Sequence, residues 1–205
     1  MNMEVKNSIK PVDYIKSMQI LEKRVEDVLQ GKKDELLWIL EHKTVYTAGT
    51  NSKEEDVLDK NLEIIKTNRG GKHTLHSPGQ KVIYFVLNLN KRKKDIRILV
   101  QKIEKCIIEV LKEYKIRSYS DRKNIGIWVG NPNNLMKIAS IGIRVKKWIA
   151  YHGFSLNVNN DLSKYRKITA CGIKDKGITS LQEMGIKNFQ NIDKIIIEKF
   201  LNTFL

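Results

Sequence analysis

The chain is poor in the residues that staple small proteins or ligate metals. Two cysteines in 205 residues, Cys106 and Cys171, cannot make a disulfide framework or a four-cysteine zinc site, and they suit a reducing compartment. The four histidines, His42, His73, His76 and His152, lack the paired spacing of a helical metal motif, so no metal is expected. No apolar run approaches the roughly 18 residues needed to cross a bilayer. The opening MNMEVKNSIK has no continuous apolar stretch of the signal-peptide kind. The expectation is a soluble, cytoplasmic protein that engages no membrane. Acidic residues are also scarce, 23 against 38 Lys and Arg, for a formal charge of +15. Such a charge steers acidic partners, or it follows from a composition rich in Lys, Ile and Asn. Apart from the run Lys91-Arg92-Lys93-Lys94, basic residues are scattered, and the aromatics do not interleave with them as a nucleic-acid surface requires. No nucleic-acid partner is expected.

What is present is a core. Apolar residues make up 41% of the chain, enough for one globular domain over residues 1–205 without staples. Tyr14, Met18, Leu21, Val25 and Val28 recur at spacings of three and four, which predicts a helix over Pro11 to Leu29. Leu36 to Leu40 and Thr44 to Ala48 read as buried strands, Gly49 to Lys60 as a polar loop, and residues 81–89 as a strand opened by a Gly/Pro cluster. Asp95 begins a helix whose apolar face carries Ile96, Leu99, Ile103, Cys106 or Ile107, Val110 and Tyr114. Asn124 to Val129 and Lys137 to Val145 are two further strands, the second alternating Ala139, Ile141, Ile143 and Val145 with Ser140, Gly142 and Arg144, with Asn131 to Asn134 as the loop between them. Trp148 to Val158 continues extended, with a bulge or a close backbone approach expected at His152-Gly153. A helix over Ile192 to Leu205 closes the chain. Strands in the middle and helices at the edges make the class α+β, one mixed or antiparallel sheet with flanking helices.

Three constellations could carry chemistry. Arg69-Gly70-Gly71-Lys72-His73-Thr74-Leu75-His76 runs into Pro78-Gly79-Gln80. It is either a glycine-rich turn or a loop whose backbone touches a ligand. It is not a phosphate-binding P-loop, because no Gly-Lys-Ser/Thr follows at the required offset. Lys137 opens a strand of small residues. It is either solvated or set beside a cavity, where its charge would stabilise an anion. Cys171, between Ala170 and Gly172 in a polar loop, lacks the helical apolar frame of Cys106. It is either a small loop cysteine or a nucleophile.

Together these residues resemble the lipoyl(octanoyl) transferase family. The likeness runs from Leu40-Glu41-His42 and Val45-Tyr46-Thr47-Ala48-Gly49 through Arg69-Gly70-Gly71, His76, Pro78-Gly79-Gln80 and Lys137-Ile138-Ala139-Ser140-Ile141-Gly142. It continues in His152-Gly153-Phe154-Ser155-Leu156-Asn157-Val158, Cys171-Gly172-Ile173 and Gly177-Ile178-Thr179-Ser180-Leu181. Ser77 stands where the family usually has glycine, and Ala170 where proline is common. The resemblance implies the α+β fold of the biotin and lipoate-protein ligase catalytic domain. It implies transfer of an octanoyl group from acyl carrier protein to a lysine of lipoyl domains, those of 2-oxoacid dehydrogenase complexes and the glycine cleavage H protein. Cys171 would form an acyl thioester and Lys137 would move the protons. Arg69 to His76, Ser140, Ile141, Gly142, Gly153, Phe154 and Ser155 would bind the acyl group. No cofactor is implied, since the acyl donor is already activated. An ATP-dependent lipoate-protein ligase of the same fold is the alternative.

Overall fold

The computed structural model describes residues 2–121, 124–131, 134–169 and 177–205. In chain order it contains β1 (Met3–Asn7), α1 (Tyr14–Leu29), β2 (Glu35–Leu40), β3 (Val45–Ala48), β4 (Ile64–Lys66), β5 (His73–His76), β6 (Gln80–Asn88) and α2 (Ile96–Glu113). There follow β7 (Ser118–Ser120), β8 (Ile127–Asn131), β9 (Asn134–Lys146), β10 (Ile149–Asn157), β11 (Gly177–Ile178) and α3 (Ile192–Phe204). The larger sheet runs β1-β2-β6-β10-β9-β8-β7, with β11 added beside β9; the smaller is β4-β3-β5. The larger sheet is mixed: β1 runs parallel to β2 and β11 parallel to β9, while the remaining pairs are antiparallel.

Two faces of the larger sheet explain its continuous apolar strands, since both are covered. Leu37, Ile39, Ile83, Phe85 and Leu87 pack under α2 and α3. The alternate residues Leu36, Trp38, Leu40, Val82, Tyr84 and Val86 pack under Leu21, Val25 and Val28 of α1. Phe200 of α3 lies 5.7 Å from Phe85 and 4.6 Å from Phe204 between ring centroids, each ring contributing roughly 2–3 kcal/mol by burial. α1 begins at Tyr14, three residues after the expected Pro11, because Asp13 caps it, its carboxylate accepting from the Lys16 N–H; Asp95 caps α2 as the sequence predicts, accepting from Arg97 and Ile98. Cys106 lies wholly inside the α2 stripe. No helix among the described residues is long and apolar enough to cross a membrane.

Several expectations need correction. The Arg69–Gln80 stretch is not all loop, since His73–His76 forms β5 against β3. Asn131 and Asn134 are themselves paired strand residues. Lys137 does not open its strand, which begins at Asn134. At His152-Gly153 the ladder continues in step on both sides, so there is no bulge. His152 instead takes φ +66° within the strand, which turns its ring out of simple alternation. Gly153 is required for close approach, because a Cβ there would land on the Ile83 carbonyl oxygen. Gly153→Ala is therefore expected to cost about 2–3 kcal/mol, by forced displacement of β6, read as a lower denaturant midpoint; an unchanged midpoint would contradict the packing.

Candidate active site

The decisive local feature is a bulge. Ile127 pairs with Ala139 and the next residue of β8, Trp128, pairs with Lys137, leaving Ile138 as an extra residue in β9. Strict alternation would send Lys137 to the α2 face with Ala139, Ile141 and Ile143. The insertion places both Ile138 and Ala139 in that core and brings Lys137 to the face of Ser140 and Gly142. There it is 6% exposed. Its Nζ donates to the Ile125 carbonyl at 2.8 Å and lies 5.3 Å from the Trp128 ring centroid. Gly126, at φ +136°, makes the room, for a Cβ there would collide with the Lys137 side chain. Among the described residues no carboxylate pairs with this ammonium. β11 then runs beside it, with Ile178 in register with Lys137 and the Thr179 N–H bonded to the Lys137 carbonyl.

Beyond Ala139, β8 no longer accompanies β9. The exposed edge of β9 is met instead by the glycine loop, Gly70 N–H donating to Ile143 O at 3.1 Å. Arg69 holds that loop: Nη2 donates to the carbonyl and hydroxyl of Thr47 at 2.9 and 2.8 Å, and Nη1 to Gly70 O. A cavity of about 540 Å³ lies between loop and sheet, lined by Arg69–Thr74, His76, Lys137, Ser140–Ile143 and His152–Ser155. Thus the structure brings the expected acyl-site residues around one space, with one exception. Leu75 is fully buried in a separate cluster with Tyr46, Tyr165 and Ile168, as alternation along β5 turns it away. Cys171 lies outside the described residues. The other cysteine is no substitute nucleophile: burial pushes the Cys106 thiol up to about 12, where a thiolate does not form near neutrality.

The inner wall of the cavity contains residues with no sequence signal of their own, Tyr14 from α1 and Tyr84 from β6. Both sit on apolar faces where an aromatic reads simply as core. Hydrogen bonding fixes the protons here. His42 Nδ1–H donates to Val12 O, so its Nε2 accepts from the Tyr84 hydroxyl, both at 2.8 Å. The Gln80 amide nitrogen lies within donor range of Leu75 O, Asn157 Oδ1 and Tyr165 Oη, which orients the amide, so its Oε1 accepts from His76 Nδ1–H at 2.7 Å. Asn68 donates to Glu22, so its Oδ1 accepts from His152 Nε2–H at 2.7 Å. His76 Nε2 and His152 Nδ1 are thereby bare acceptors, and the latter is buried without a partner among the described residues.

Burial, reinforced by neighbouring cations and rings, holds both His76 and His152 far below the ordinary 6.5, at about 3. These two rings are uncharged at neutral pH. The stability of these neutral rings is whole above about pH 6.5, where the unfolded imidazoles are also neutral, and is lost as pH falls towards 3. From pH 7 to 5 each histidine should remove about 2 kcal/mol, and His76→Gln should halve that combined loss. Urea unfolding at the two pH values checks this; a midpoint that does not move contradicts the neutral assignment.

Residues 13–204 match the family model described as "Lipoyl protein ligase A/B catalytic domain". An octanoyltransferase of Ehrlichia chaffeensis is 44% identical over 196 residues, covering 94% of this chain and 92% of that protein. One from Wolbachia pipientis subsp. Culex pipiens is 42% identical, covering 94% and 95%. Among solved structures, a bipartite lipoate protein ligase from Thermoplasma acidophilum, described with its E2 lipoyl domain, superposes with TM-score 0.72 at 15% identity, covering 98% of this chain and 84% of that one. Lipoate-protein ligase A bound with ATP gives TM-score 0.72 at 13% identity, covering 98% and 85%. The structural likenesses carry the α+β fold; the sequence likenesses carry the activity.

Proposed function

Because the chain belongs to the lipoyl protein ligase A/B catalytic domain family, and its curated relatives over most of its length are octanoyltransferases, we propose that it passes an octanoyl group from acyl carrier protein to lipoyl-domain lysines through a thioester on Cys171. It is an acyltransferase of lipoate biosynthesis; the covalent intermediate, the residues and the two protein substrates are the reading argued next. The acceptors are the lipoyl domains of 2-oxoacid dehydrogenase complexes and the glycine cleavage H protein.

The observation that carries the mechanism is Lys137. A buried ammonium without a carboxylate costs several kcal/mol of lost hydration, and this one opens on a cavity with donor capacity to spare. Such a group favours a thiolate nearby. In the first half-reaction the Cys171 thiolate attacks the thioester carbonyl, the bond to the carrier's sulfur breaks, and Lys137 protonates the departing thiolate. In the second, the now neutral Lys137 amine takes a proton from the substrate amine as that nitrogen attacks. The carbon–sulfur bond to Cys171 breaks, the amide forms, and the thiolate–ammonium pair is restored. The alkyl chain lies over the small floor of Ser140, Gly142, Gly153 and Ser155, with its methyl end towards the uncharged rings.

Mixing the protein with octanoyl carrier protein, without ATP, should give an octanoyl adduct on Cys171 by intact-mass and peptide analysis. Absence of the adduct, or dependence on ATP, would overturn the thioester mechanism.

A further inference from the structure

The single basic run in the sequence has no part in the chemistry above. It lies in the lead-in to α2, where Lys91, Lys93 and Lys94 are exposed, followed by exposed Arg97. Of the run, Arg92 alone is turned inward, pairing with Glu35. The one acid among these residues, Asp95, is spent on the helix cap. The segment is joined to the tip of the β9–β10 hairpin: Leu89 N–H donates to Trp148 O at 2.8 Å and Asn90 Nδ2 to Lys147 O at 3.2 Å. Exposed Lys147 and a Trp148 ring that is 38% exposed therefore belong to the same surface, and Lys94 Nζ lies 5.9 Å from that ring.

This surface is continuous with the cavity. Ile96, Val100 and Ile125 form part of the cavity lining, yet Ile96 is 45% and Ile125 50% exposed. Large aliphatic groups at a cavity mouth lose free energy to water until something apolar covers them. Ile125 is also the residue whose carbonyl receives the Lys137 ammonium. A path therefore leads from a cluster of fixed positive charge, over an apolar lip, to the reacting lysine.

We propose that this surface docks the acyl carrier, with its thioester arm passing between Ile96 and Ile125 towards Lys137. The proposal rests on the octanoyl-transfer reading above. The arm suits the path by its chemistry: a phosphodiester at its root for the lysines and Arg97, then an uncharged chain for the apolar lip, on a protein of acidic surface. The lipoyl domain suits it less, because it must present a cationic lysine to the same field.

The test compares the full-length protein with a Lys93→Glu/Lys94→Glu/Arg97→Glu variant, all three exposed and outside the cavity lining. Acylation by octanoyl carrier protein should lose roughly ten- to a hundredfold in kcat/KM, and its salt dependence should flatten. Acylation by octanoyl-pantetheine, which lacks the carrier and its phosphate, should stay within twofold. Equal losses with both donors, or none with the carrier, would overturn the docking site. So would a loss confined to transfer from preformed acyl-enzyme to a lipoyl domain. Failure of the parent protein to form an acyl-enzyme with either donor would instead refute the octanoyl-transfer reading, which separates the two.

Discussion

On the proposed thioester mechanism, Cys171→Ala is expected to lower octanoyl transfer by roughly a thousandfold or more, because Cys106 is the only other thiol in the sequence. Cys106 cannot replace it, being buried in the α2 stripe with a thiol at about 12. Turnover of octanoyl carrier protein with a lipoyl-domain acceptor measures the effect, and intact mass should show no adduct on the variant. Parent-like turnover would mean that the acyl group passes directly from carrier to amine, with the protein only aligning the two.

Lys137→Met should slow both half-reactions by roughly a hundred- to ten-thousandfold, the range of a positioned general acid–base group. Acylation should become base-dependent, rising with pH as the free thiol ionises without help from a neighbouring cation. Stability should move in the opposite direction or not at all, because methionine fills the same buried volume without an unpaired charge. Its side chain can remain against Trp128 and Gly126. Single-turnover rates for each half-reaction, with a thermal melt, separate these outcomes. Normal rates would remove Lys137 from the chemistry, and a large fall in melting temperature with modest kinetic change would make it structural.

The elements legible in the sequence were those whose reason is local. The Asp95 cap and the three-and-four spacing from Leu99 to Val110 stand as the residues predict, while Ile96, read onto the same apolar face, is 45% exposed, and β6 announces itself by nine consecutive residues that both faces of a sheet can bury. The strands that escaped, β1, β4, β5, β7 and β11, are short, and their only reason to be extended is a partner distant in the chain. β5 reads as loop because Arg69-Gly70-Gly71 precedes it, yet its register against β3 carries Thr74 and His76 to the cavity face and turns Leu75 away. The broken alternation at Ile138-Ala139, two apolar residues in succession, was the available sign of the bulge.

By itself the sequence determined the two apolar helix stripes, the buried central strands, and the order of residues by which the family is recognised, because each is a property of neighbours along the chain. Only the tertiary structure decided that Lys137 faces the cavity rather than the core, that Leu75 does not, and that Tyr14, His42, Tyr84 and His152 meet at one wall. Those outcomes depend on an extra residue in one strand, on strand register and on a left-handed residue within β10. Such features orient side chains through contacts between distant segments, and hydrophobic periodicity does not encode them.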